Sequence, residues 1–114
     1  MDGTFTVMVK NDPQLEVKIS GTKITCKQLA EKLWWGTPVY IRPENITLGN
    51  FTRFVESRVP SKYRPDMTRL LKKYDVPFWD PYLMVLRSHG ISVTDDVWVK
   101  FNNEDTSYES ISVR

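Results

Sequence analysis

Asp95 and Asp96 are an adjacent pair of carboxylates, and they follow Ser92-Val93-Thr94. Two acids side by side can hold a cation or divide acid and base work between them. On an extended chain, however, neighbours point to opposite faces, and no third carboxylate stands near enough in sequence to complete a cation site. A turn in which the Asp side chains accept backbone N–H bonds suits the pattern better. A nucleophile–base set would have to join His89 to Cys26 or to a serine. His89 precedes Gly90, where a helix C-terminus favours an imidazole, and Cys26 reads as a small core residue. One cysteine and one histidine exclude an internal disulfide and a Cys/His zinc site. The glycines stand singly, and the phosphate-cradling, nucleophile-elbow and His-Glu-x-x-His patterns are absent. The expectation is a protein that is not an enzyme, with no cofactor and no metal.

Charge is distributed unevenly. Residues 53–74 carry Arg53, Arg58, Lys62, Arg64, Arg69, Lys72 and Lys73 against Glu56 and Asp66, whereas residues 95–110 carry five acids against Lys100. A basic block with Tyr63 and Tyr74 in it could follow a phosphate backbone and stack on bases, which makes Arg53, Lys62, Arg69, Lys72 and Lys73 the candidate nucleic-acid contacts. The alternative is that Arg69, Lys72 and Lys73 form the wet side of a helix whose dry side is Met67, Leu70 and Leu71. A dipolar surface also suits docking to a charged protein. Trp34-Trp35 and Phe78-Trp79 belong either to the core or to a partner contact, where tryptophan is enriched.

The elements that must position these groups follow from periodicity. Phe5, Val7 and Val9 alternate with Thr4, Thr6 and Met8, and Leu15, Val17 and Ile19 with Glu16, Lys18 and Ser20, so the chain opens as a hairpin turning at Asn11-Asp12-Pro13 and ending at Gly21. Thr25 and Gln28 resemble a capping box, and Cys26, Leu29, Ala30 and Leu33 share a helical face that Gly36 would close. Val39-Tyr40-Ile41 reads as an edge strand between prolines. Thr47 caps a helix burying Phe51, Phe54 and Val55, and Pro60 ends it. Another helix starts at about Ser61 or Arg64, and a third opens at Asp80-Pro81 and closes at Gly90. Val97–Phe101 alternates as a last strand. These elements predict an α+β fold: a small, mostly antiparallel sheet with three to four helices packed on one face.

At 114 residues the chain is long enough for one globular domain spanning 1–114. No stretch approaches the roughly 20 apolar residues of a membrane helix, and the N-terminus lacks a basic region followed by an apolar one. A cytoplasmic protein without membrane contact is therefore expected.

From Thr47 onward, Phe54, Arg58, Val59, Pro60, Arg64, Leu70, Leu71, Gly90, Ser92, Asp95 and Trp98 form an ordered set. In that order and at about the usual spacing, they resemble the N-terminal, non-kinase region of bacterial HipA-like toxin kinases of the Firmicutes type. The segment Thr25–Ile41 departs from the pattern. The resemblance implies a non-catalytic subdomain that contacts a kinase lobe or a DNA-binding antitoxin. All ATP-binding and catalytic residues of such kinases lie in the kinase lobe, so none carries over. The leading expectation is therefore a regulatory protein-interaction module that binds a macromolecular partner such as a kinase-like toxin. The partner-binding candidates are Arg58, Arg64, Asp95, Asp96 and Trp98. Arg58 and Arg64 are suited to bidentate contacts with carboxylates or phosphates, or else to pinning the corner around Pro60. Two alternatives are a phage or mobile-element inhibitor of a host defence nuclease, such as an anti-CRISPR protein, and a nucleic-acid-binding regulator.

Overall fold

The alternation of Phe5, Val7, Leu15, Val17 and Ile19 places all five on one face of a hairpin made of β1 (Gly3–Val9) and β2 (Asp12–Ser20). The computed structural model describes residues 2–92, 95–102 and 104–112. The first turn is tighter than its sequence suggests. It is a two-residue loop, Lys10-Asn11, with Lys10 at φ +52°, while Asp12 and Pro13 already belong to β2. The Lys10 N–H donates to Asp96 O, and its carbonyl accepts the Trp98 indole N–H, so contacts from the far end of the chain hold the left-handed residue.

Two expectations fail in the next segment. The predicted helix through Cys26 and Leu33 is instead a strand, β3 (Lys23–Gln28), followed by irregular chain. Thr25 faces Lys18 across the sheet and is not a helix cap. A two-residue loop at Gly21-Thr22 returns the chain onto β2, and that local closure outweighs a helical spacing that arises by coincidence. Val39–Ile41 is a 3-10 turn instead of an edge strand, and only Ile41 is buried in it. Gly36 ends no helix. The ring of Trp34 lies where a Cβ on Gly36 would stand, so this position requires a residue without a side chain.

The helical half follows the sequence more closely. In α1 (Leu48–Glu56) the Thr47 hydroxyl accepts the Asn50 N–H at 3.0 Å, and Phe51, Phe54 and Val55 are buried. α2 (Met67–Tyr74) starts later than expected and buries only Leu70. α3 (Pro81–Ser88) is capped by Asp80, whose carboxylate accepts the Tyr82 and Leu83 N–H groups. It ends in two successive left-handed residues, His89 at φ +59° and Gly90 at φ +64°.

β4 (Val97–Phe101) then pairs with β1, giving a four-stranded antiparallel sheet in the order β3-β2-β1-β4. The architecture is α+β, as expected. The main core lies between one sheet face and the helices, with Phe5, Val17, Val99 and Phe101 against Phe51, Phe54, Val55 and Val85. The opposite face holds a smaller cluster of Met8, Trp98 and Ile111. Ile111 comes from a short fourth helix, α4 (Tyr108–Ser112), in the acidic region where scattered apolar residues carry no clear period.

Candidate partner-binding surface

Arg58 leaves the end of α1, where its N–H still bonds to Val55 O, and its side chain reaches across to the outer edge of β4. Nε donates to Gly90 O at 2.8 Å. Nη1 and Nη2 donate to the two Asp95 oxygens at 2.8 and 2.9 Å, and Nη2 also donates to Val97 O at 2.7 Å. The aliphatic part of the side chain runs 3.2 Å from the place of a Cβ on Gly90, so a side chain there would be crowded as well as strained by the positive φ. Asp95 additionally accepts the Val97 N–H at 3.0 Å. The hydrogen bonds from Arg58 outweigh desolvation and hold the Asp95 carboxyl below the usual carboxylate range. Beside this network the His89 carbonyl accepts the Val99 N–H at 2.8 Å. The β4 edge is thereby closed from within.

Of the five partner-binding candidates, the structure brings Arg58 and Asp95 together at this edge, with Trp98 on β4 itself. Arg58 is 9% exposed at its side chain and bonds to the protein through each of its three guanidinium nitrogens, and Trp98 is completely buried. These two, with Asp95, hold the fold together at this edge instead of facing outward. Asp96 is more open. It accepts the Tyr108 hydroxyl at 3.0 Å and lies 4.0 Å from Lys10 Nζ. Arg64 is half exposed and forks onto Asp66 at 3.1 and 3.0 Å. Arg64 and Asp96 are thus the members of the set left at the surface.

The basic residues spread over several sites. The Arg53 guanidinium stands 4.3 Å above the Tyr40 ring, and Arg69 donates to Asp66 at 2.6 Å. Lys72 and Lys73 occupy the exposed side of α2. Lys62 Nζ lies 5.2 Å from the Tyr63 ring and 5.9 Å from that of Trp79, at a shallow hollow that also includes Glu56 and Ser61. The Trp79 indole N–H donates to Pro60 O, which ties the Phe78-Trp79 corner to the end of the α1 segment.

The most exposed aromatic ring is Trp35, 86% accessible, and Val39 and Leu29 on the same segment are also exposed. This segment is pinned. The β1–β2 register slips by one residue at Gln14, which is buried. The Gln14 carbonyl accepts the Leu29 N–H, and its side-chain oxygen accepts the Trp34 N–H at 2.9 Å. Trp34 packs against the core and meets Trp35 at a tilt of 44°, with 5.3 Å between ring centroids. The sequence marks the Trp pair, but not Leu29 and Val39, because their exposure follows from a helix and a strand that do not form.

The remaining reactive groups do not converge. Cys26 sits on β3 with Sγ 3.5 Å from Ile41 O, and burial, with a smaller push from the Glu44 charge, raises its thiol to about 11. His89 Nε2 meets Glu104 Oε1 at 2.9 Å between the rings of Trp98 and Phe101. Among the described residues no three of His, Cys, Asp and Glu gather as metal ligands, and no helix is long and apolar enough to cross a membrane. No protein-family model, curated protein or solved structure matches the chain.

Proposed function

We propose that the chain is a non-catalytic protein-interaction module, of the kind its resemblance to the HipA-type N-terminal region implies, and that it regulates a kinase-like toxin in the cytoplasm by binding it. The observation that carries this reading is Trp35, a nearly fully accessible tryptophan on a segment that the Gln14 hydrogen bonds and the Trp34 ring hold in place. A pre-positioned aromatic loses little freedom on binding and is a common interface anchor. Arg58, Gly90 and Asp95, three positions on which the resemblance rests, are joined in one network. Arg64 and Asp96 are the members of the candidate set that the surface offers for polar contacts with a partner.

Titrating the purified chain into a HipA-type kinase core from the same genome, with binding heat and autophosphorylation as readouts, tests the proposal. Saturable binding that Trp35→Ala weakens supports it. Absence of binding at concentrations where the chain is folded overturns it.

A nucleic-acid reading has one observation in its favour: Tyr63 is 83% exposed beside Lys62. Binding of that kind would fall steeply between low and physiological salt. No structural feature favours inhibition of a defence nuclease over either reading.

A further inference from the structure

The two edges of the sheet differ. Arg58, Asp95 and His89 close the β4 edge, whereas β3 ends the sheet on the other side with no strand beyond it among the described residues. The hydrogen-bond phase of β3 follows from its ends. Ser20 and Lys23 close the two-residue Gly21-Thr22 loop, and beyond the strand the Leu29 N–H donates to Gln14 O. Backbone groups of odd-numbered residues 23–29 therefore face β2, and those of Ile24, Cys26 and Gln28 point outward.

The side chains give this open edge two unlike sides. Within β2 and β3, the face away from the core carries Lys23, Lys27 and, one strand in, Lys18, against Glu16. On the core side are Ile24, Cys26 and the 3-10 turn that bears exposed Val39, with Ile41 O beside Cys26 Sγ. The charge felt by Cys26 on that side is the carboxylate of Glu44. A second copy of the chain, paired antiparallel here, would set lysine among lysines, which is unfavourable for directly opposed side chains.

The geometry points to the β3 edge as a docking site for an extended segment of a partner protein, about five residues long, that alternates acidic and apolar side chains and adds as a fifth strand. Acidic residues then meet Lys23 and Lys27 on the open face, and apolar ones turn toward Val39. The inference rests on the reading of the chain as a partner-binding module and defines the chemistry of that partner, since β3 runs directly into Leu29 and the Trp34-Trp35 segment.

The test uses the isotopically labelled full chain at pH 7 and a blocked eight-residue peptide of alternating glutamate and valine. The expected result is a shift and slowed hydrogen exchange of the Ile24 and Cys26 amides. Binding should weaken about tenfold in the Lys23→Glu/Lys27→Glu double variant, and less in Lys23→Gln/Lys27→Gln, which guards against a fold effect of charge reversal. A peptide with lysine in place of glutamate should not bind. Unchanged Ile24 and Cys26 amides, or equal binding of the lysine peptide, overturns the assignment. Failure of the peptide while the kinase core still binds removes this inference alone. A bound peptide with no binding of the kinase core removes the toxin reading and leaves the edge site standing.

Discussion

Arg58 and Asp95 stand 37 positions apart in the chain and form a two-pronged ion pair, with N–O distances of 2.8 and 2.9 Å, at the outer edge of β4. The same guanidinium binds the carbonyls of Gly90 and Val97. One side chain therefore joins the end of α1, the turn after α3 and the last strand. A planar five-donor group can serve these acceptors together, whereas an ammonium cannot reproduce the fork.

Arg58→Ala should cost about 3 kcal/mol of unfolding free energy, because it strands a carboxylate and two carbonyls in a partly buried place. Arg58→Lys should recover only part of the loss. Urea unfolding followed by circular dichroism measures both, and a loss below about 0.5 kcal/mol, typical of a surface change, would contradict this role.

Asp95 also makes stability depend on acid. Its carboxyl is held down in the folded state relative to an unfolded value near 3.9. The folded state therefore binds the proton less readily than the unfolded state. The stabilisation is complete above the unfolded value and is lost as pH falls through the lower folded one. Urea midpoints should decline below about pH 4, and Asp95→Asn should flatten that part of the profile while lowering stability at neutral pH.

Cys26 should be slow to react. With its thiol raised to about 11, roughly one molecule in a thousand carries the thiolate at pH 8. Alkylation by iodoacetamide should run about a hundredfold slower than for a free cysteine, rise with pH toward 11, and recover in urea. Glu44→Gln removes the smaller of the two causes and should speed the folded reaction modestly.

Trp35 and Trp98 should separate binding from folding. Trp98 is fully buried and donates its indole N–H to the Lys10 carbonyl, so Trp98→Ala should cost about 3–5 kcal/mol. Trp35→Ala should leave stability within about 0.5 kcal/mol and weaken partner binding by about thirtyfold, as loss of an interface anchor does. Melting temperature and titration calorimetry on the same two variants test the contrast. Equal thermal losses would place Trp35 in the core.

Where local pattern and tertiary demand agree, the sequence is sufficient. The alternation of Phe5, Val7, Leu15 and Val17 specifies the hairpin, Thr47 and Asp80-Pro81 specify two helix starts, and Val97–Phe101 specifies the last strand. These signals act within a few residues, so no distant partner is needed to read them. Together they also determine the α+β class.

Contacts between distant residues decided the rest. Cys26, Leu29, Ala30 and Leu33 fit a helix by spacing, yet pairing with β2 satisfies the inward-facing backbone groups of β3 as a strand and leaves Leu29 and Trp35 outside. Arg58 and Asp95 are charged residues of the kind usually assigned to a surface, and only the meeting of α1 with the β4 edge draws them inward as a pair. Periodicity along a chain reports which side of an element is apolar. It carries no record of which other element arrives there, so the inward turn of Arg58 and the bare edge of β3 emerge only when the strands are ordered in space.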